Sequence, residues 1–306
     1  MVPDMMASRR KRAKRRGAGA PAVRLGVIGG SGLYHMPGLE SASEVRVRTP
    51  FGDPSDVLMV GTLGGVGVAF LPRHGRGHRI LPSEINFRAN LFALKQLGAE
   101  FLISVGAVGS FKPGIRPGEI VVPDQFIDKT HRGPSTFFGE GIVAHVGFAD
   151  PVCPVLSQLV VGAGRSAGSS AVHERGTYVC MEGPQFSTRA ESELHRSWGA
   201  DVIGMTNVQE AKLAREAEMC FAAVALVTDY DCWSPAVGDV EIAEVLRILQ
   251  ESAERAQRIV ATVASHLPPS RACPCASALA QAIITERGRI PARTRRRLAP
   301  IIGRYV

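Results

Sequence analysis

The chain lacks several things, and each absence narrows its role. No stretch of the 306 residues approaches the roughly 20 consecutive apolar residues needed to cross a bilayer, so no membrane-spanning role is expected. The basic N-terminus is not followed by an apolar core and cleavage site, which argues against a secretory signal. Aromatics make up only 6% of the chain and do not interleave with the basic residues, so a nucleic-acid partner is not expected. There are six cysteines, most inside apolar runs, which suits reduced thiols in a cytoplasm. The one close pair, the CxC of Cys273 and Cys275, offers too few ligands for zinc by itself. Spread-out charge is also missing. Of the net +8, an arm over residues 1–20 with seven Lys/Arg and one Asp carries six, leaving a nearly neutral body. The run SRRKRAKRRGAGAP (8–21) reads as a disordered appended tail, or alternatively as a localisation or nucleic-acid contact. With no internal repeat and no clear linker, the division is a basic arm (1–21), one α/β domain (22–267) and a helical extension packing on it (268–306).

What is present centres on residues 201–233. FAAVALVT (221–228) is an unbroken apolar run, as in a strand covered on both faces. Asp229 and Asp231 follow directly, where open α/β sheets place their chemistry. Upstream, DVIGM (201–205) reads as a short strand leading into a helix start at Thr206 and Asn207, with Gln209 and Glu210 at capping-box spacing. Thr206 is either an anion contact at a helix N-terminus or merely a cap.

The rest of the chain supplies further anion donors. VRLGVIGGSGLY (23–34) is a strand and glycine turn in which Ser31 could donate to a small anion. A dinucleotide fingerprint fails there, because His35 stands where the third glycine belongs and Pro37 spoils the helix. VLMVGTL (57–63) and VGVAFL (66–71) read as a hairpin delivering RHGRGH (73–78). Arg73 and His74 in that loop are phosphate donors or simply solvated charges. LPSEINFRANLFALKQLG (81–98) reads as a helix capped by Ser83 and stopped by Gly98, with Phe87, Leu91 and Leu94 facing the core. Strands are expected at 101–111, 119–128 and 175–186, and helices at 151–167, fraying at its glycines, and at 188–199. A long loop over 129–150 holds His145, and a lone loop histidine is usually structural. Ile242, Val245 and Leu246 share one face of a helix over 239–266, a face that ordinarily means core. Two short helices are expected within 276–305.

Taken together, GVIGGSGLY (26–34), TPFGDPSD (49–56), RHGRGH (73–78), ISVGAVGSF (103–111), PDQFID (123–128), MEGPQFSTRAE (181–191), GMTNVQEAKLA (204–214) and TDYDCW (228–233) resemble the trimeric purine nucleoside phosphorylase family, on the side of its 5′-methylthioadenosine branch. The resemblance spans about 26 to 270 and omits the basic arm. It implies a single α/β domain with a mixed, partly barrel-like central sheet flanked by helices. It also implies phosphorolysis of 5′-methylthioadenosine to adenine and 5-methylthioribose 1-phosphate, in purine and methionine salvage. Inorganic phosphate is then a co-substrate, with no metal or organic cofactor. Preference for 6-oxopurine nucleosides or methylthioinosine is the alternative.

Residue by residue, the resemblance implies a phosphate site at Ser31, Arg73, His74, Gly106, Ala107 and Thr206. Some relatives carry a hydroxyl residue where this chain has Gly106. Phe186 and Met205 would line the ribose, and Ile242, Val245 and Leu246 the methylthio group. Asp229 would be the general acid, and Asp231 would accept from the adenine amino group. His145 would reach the site of a neighbouring subunit, making a cytoplasmic homotrimer the working form. The CxC pair forms a disulfide in some archaeal and bacterial members, an assignment left open here.

Overall fold

A computed structural model describes residues 22–30, 36–168, 171–234 and 240–306. The whole basic arm (1–21), Ser31 and residues 235–239 therefore lie outside the described residues. In chain order the strands and helices are β1 (Val23–Gly29), β2 (Glu40–Val45), β3 (Leu58–Leu63), β4 (Val66–Pro72), α1 (Phe87–Leu97), β5 (Phe101–Ser110), β6 (Ile120–Val121), β7 (Gln125–Asp128), α2 (Pro154–Ser166), β8 (Val172–His173), β9 (Thr177–Cys180), α3 (Arg189–Ser197), β10 (Val202–Gly204), α4 (Asn207–Glu216), β11 (Cys220–Asp229), α5 (Ile242–Ser265), α6 (Ala292–Arg297) and α7 (Ala299–Ile302).

The strands form one mixed sheet in the order β2-β3-β4-β1-β5-β10-β9-β7, with β11, β6 and β8 branching from β5. The fork at β5 is what makes the site. Along one edge β5 pairs in parallel with β11 from Phe101 to Gly109. Along the other, β1 pairs only as far as Val105, and β10 begins, antiparallel, at Gly109. Between them Gly106 and Ala107 have no ladder partner on that edge among the described residues, and both become half-buried while Phe101–Val105 are fully buried. A backbone edge left open inside a sheet offers N–H groups to a ligand.

Alternation along β5 sends its side chains into two helix layers. Phe101, Ile103 and Val105 pack with Leu156 and Val160 of α2 and Ile259, Val260 and Val263 of α5. Leu102 joins the opposite layer, with Leu91 and Leu94 of α1 and Leu213 of α4. Leu298, Ile301 and Ile302 pack into that second layer, so the C-terminal extension shares the domain's core. Each such fully buried leucine or isoleucine contributes roughly 1.5–3 kcal/mol of transfer free energy.

Local expectations shift in two places. The helix expected over 81–98 is a single tight turn at Pro82–Glu84 followed by α1, which Asn86 rather than Ser83 caps by accepting from Ala89 N–H at 3.1 Å. Gly98 stops α1 as expected, at φ 107°. Helix α2 runs unbroken through Gly162 and Gly164. Tertiary packing holds it, since Gly164 lies against Val172 and a methyl there would approach that side chain to 3.1 Å.

Candidate active site

Where β1, β5, β9, β10 and β11 meet, the structure forms an open-mouthed cavity of about 270 Å³. Its wall includes Gly30, Arg73, His74, the edge from Val105 to Gly109, Phe186, Met205, Thr206, Asp229, Asp231 and one face of α5.

Arg73 is not a solvated charge but is 1% exposed. Its Nε and Nη2 bond Glu210 Oε1 and Oε2 at 2.5 and 3.1 Å, Nη2 also donates to Ser104 Oγ at 2.7 Å, and Nη1 to Val105 O at 3.1 Å. Four of its five N–H groups are thereby used. The fifth, on Nη1, belongs to the nitrogen nearest Gly106, whose missing side chain leaves room: a Cβ there would still stand 3.7 Å from Nη1. Ser104 completes the network by donating to Glu210 at 2.5 Å and accepting from Asn207 Nδ2 at 2.6 Å. Glu210 therefore does not close a capping box with Thr206. It is wholly buried as the counter-charge of Arg73. Gln209 likewise turns away, donating to Thr130 Oγ1 at 2.6 Å. Thr206 sits at the start of α4 without a side-chain capping bond, on the cavity wall.

Burial, then the neighbouring Arg73 charge, push His74 down to about 4. It is therefore neutral near pH 7, and its Nδ1 donates to Ile80 O at 2.8 Å. That tautomer leaves Nε2 as an acceptor, suited to a protonated phosphate oxygen. His78 stacks on its ring with centroids 4.3 Å apart.

Asp229 ends β11 beside Gly109, where the pairing with β5 slips out of register. Its Oδ2 accepts from Thr228 Oγ1 at 2.7 Å and its Oδ1 from Asp231 N–H at 2.8 Å. Burial raises its proton affinity above the ordinary carboxyl range, and the Asp231 carboxylate adds to this. The two hydrogen bonds oppose the rise without reversing it. Asp231 is 5% exposed, adopts a left-handed backbone at φ 50°, and carries a buried Oδ2 with no hydrogen-bond partner. The loop is tied down by Trp233 Nε1 donating to Ser110 O at 2.8 Å, with Arg196 stacked 3.9 Å over the indole.

Gly109 has a steric reason to be glycine: a Cβ there would lie 2.7 Å from Asp229 Oδ1 and 3.3 Å from Asp231 N. Gly109→Ala is expected to displace the Asp229 carboxyl and lower kcat by about 10²-fold, with phosphate KM little changed. Steady-state kinetics with phosphate varied at saturating nucleoside test this, and an unchanged kcat would count against it.

The phosphorylase superfamily model matches residues 24–265. A curated S-methyl-5′-thioadenosine phosphorylase from Koribacter versatilis is 59% identical over 281 residues, 92% of this chain and 96% of the relative.

The chain belongs to the phosphorylase superfamily, in its S-methyl-5′-thioadenosine phosphorylase family.

A crystal structure of a methylthioadenosine phosphorylase from an Antarctic soil metagenomic library, 46% identical, covers 92% of this chain and 99% of its own, with TM-score 0.86. A Schistosoma mansoni adenosine/methylthioadenosine phosphorylase variant solved with methylthioadenosine is 37% identical, covering 81% of this chain and 93% of its own, with TM-score 0.76.

Within this family member the fold gathers Arg73, His74, Gly106, Ala107, Thr206, Phe186, Met205, Asp229, Asp231, Ile242, Val245 and Leu246 on one cavity. The core reading of the α5 face fails: Ile242 is 65% and Leu246 45% exposed, and with Val245 they form the cavity's apolar wall. His145 is exposed on the 129–150 loop and does not line the cavity of its own chain. Sequence reasoning passed over Ser104, Glu210 and Gly109, and also Arg132. The last is on the same loop and donates to Met205 O at 2.6 Å and Met181 O at 3.2 Å, pinning the ends of β10 and β9 together. An acidic residue amid the apolar positions of α4 was the available signal for Glu210.

Proposed function

We propose that this cavity carries out phosphorolysis of S-methyl-5′-thioadenosine, yielding adenine and 5-methylthioribose 1-phosphate. Phosphate sits against the open edge at Gly106 and Ala107, with donors from Arg73 and Thr206 and with His74 facing a protonated oxygen. Gly106 and Gly109 are three residues apart on β5, about 10 Å at strand rise. That span places a sugar between the anion and the Asp229 carboxyl. A phosphate oxygen attacks C1′, the C1′–N9 bond breaks through an oxocarbenium-like state, and the bond's electrons pass to the purine. Asp229 delivers a proton to N7, so that neutral adenine leaves. The phosphate charge stabilises the cationic sugar. Met205 and Phe186 flank the ribose, and Ile242, Val245 and Leu246 favour a thioether over a hydroxyl at the 5′ position. The exposed Phe186, Ile242 and Leu246 at the cavity support closure by a second copy, in which His145 would serve a neighbour, as in a homotrimer. The six cysteines, all thiols, support a cytoplasmic setting.

The observation that carries the substrate assignment is Asp231 Oδ2, a buried acceptor without a donor beside the general acid. It suits the 6-amino group of adenine and opposes a 6-oxo group. Incubation with methylthioadenosine, adenosine, methylthioinosine and inosine, each with and without phosphate, tests the reading. Phosphate-dependent cleavage favouring methylthioadenosine is expected, whereas base release without phosphate would indicate a hydrolase. Asp231→Asn is expected to move the kcat/KM ratio of methylthioadenosine to methylthioinosine by about 10–10²-fold toward the 6-oxopurine, the worth of one charged hydrogen bond. An unmoved ratio would remove Asp231 from substrate choice.

A further inference from the structure

Away from the cavity, the fold gathers four of the six cysteines. The Sγ atoms of Cys153, Cys220, Cys273 and Cys275 all lie within 4.8 Å of one another. Cys220 and Cys273 approach to 3.3 Å. None of the four lines the catalytic cavity. They come from three places: Cys153 caps the N-terminus of α2, Cys220 opens β11, and Cys273 and Cys275 flank Pro274 in the segment after α5. The CxC pair has too few ligands alone, and the fold supplies the two it lacks.

We propose that these four thiolates bind one divalent, thiophilic metal ion of the zinc class as a structural site. A tetrahedral site with metal–sulfur bonds of about 2.3 Å has sulfur–sulfur edges of about 3.8 Å. The cluster's spacing brackets that edge. A pair of disulfides requires only that sulfurs approach in twos, whereas here every sulfur has the other three as neighbours. Four protein ligands leave no open position, which marks a structural rather than a catalytic metal. Cys153, Cys220 and Cys275 are buried, and Cys273 is half-buried, leaving a route for the ion. The Leu156 N–H points at Cys153 Sγ from 3.5 Å, a backbone donor supporting a thiolate. The arriving cation displaces the four thiol protons to solvent, with no change of oxidation state. Such a site would staple the segment leading into 276–306 to the opening residue of β11, whose other end carries Asp229.

The test uses the full chain from zinc-supplemented cells, with metal content read by inductively coupled plasma mass spectrometry and by mercurial release. About one zinc per chain is expected, lost in the Cys273→Ser/Cys275→Ser variant. Cobalt loading of the reduced wild-type protein should give the intense charge-transfer absorption of a tetrahedral cobalt thiolate. Neither wild-type measurement depends on the variant folding. Metal removal is expected to lower the melting temperature by about 5 °C or more. Less than about 0.1 zinc per chain together with no cobalt–thiolate band would overturn the proposal. So would a thiol count in denaturant showing the four as disulfides in protein purified without oxidant.

Discussion

Replacing Asp229 by Asn is expected to lower kcat for methylthioadenosine by about 10²–10⁴-fold, the usual worth of a positioned general acid. The amide has nearly the same shape: its one oxygen can keep the Asp231 N–H bond, and its NH2, in place of Oδ2, can donate to the Thr228 hydroxyl. It has no proton to give to N7, so the purine would have to depart as an anion. The sign of the pH effect follows from the environment. Burial raises the Asp229 proton affinity, so its acid form persists to higher pH than an ordinary carboxyl. Activity that needs this acid falls as pH rises through the raised value, and the Asn variant should lose that limb of the profile. A variant within about threefold of wild type, with the limb intact, would assign the proton to another group.

The second large effect is on stability. Glu210→Gln keeps the shape but removes the charge opposite Arg73 and turns one of the two accepting oxygens into an NH2 donor, in a pair whose side chains are 0% and 2% exposed. Losing one partner of a buried ion pair costs about 3–5 kcal/mol, because the survivor stays buried and uncompensated. The cavity offers a particular rescue. If phosphate is the anion that meets the remaining Arg73 Nη1–H, it replaces part of the missing charge. Urea unfolding should therefore show the variant destabilised by about that amount without phosphate, and stabilised by phosphate more than wild type is. Equal phosphate effects in the two proteins would place the anion elsewhere.

Much of the fold was legible because it is written in local periods. The apolar run at 221–228 is β11, Gly98 stops α1, and the helix expected at 188–199 is α3, opened by Thr188 and Glu191 as a capping box. Asp229 and Asp231 could be singled out for the same reason, as polar residues placed just past a buried strand. Other readings went astray where a long-range partner outweighed the local rule. Glu210 has the spacing of a capping residue, but a buried guanidinium from the end of β4 binds it more strongly than a helix N-terminus would. Ile242 and Leu246 have the spacing of a core face, but at the start of α5 they stand exposed on the cavity wall. Asn86 displaces Ser83 as cap because Pro82–Glu84 forms a separate turn.

The sequence by itself determined most of the strands and helices and which residue types stand at their ends, since those depend on neighbours two to four positions away. The tertiary structure decided which ends meet. The fork of β5 between β1 and β10 opens the backbone at Gly106 and Ala107, encloses Arg73 with Glu210 and Ser104, and leaves room at Gly109 for Asp229. The same folding brings Cys153 and Cys220 to the CxC pair. Contacts between residues so far apart in the chain arise from sheet order and layer packing, which no local period encodes.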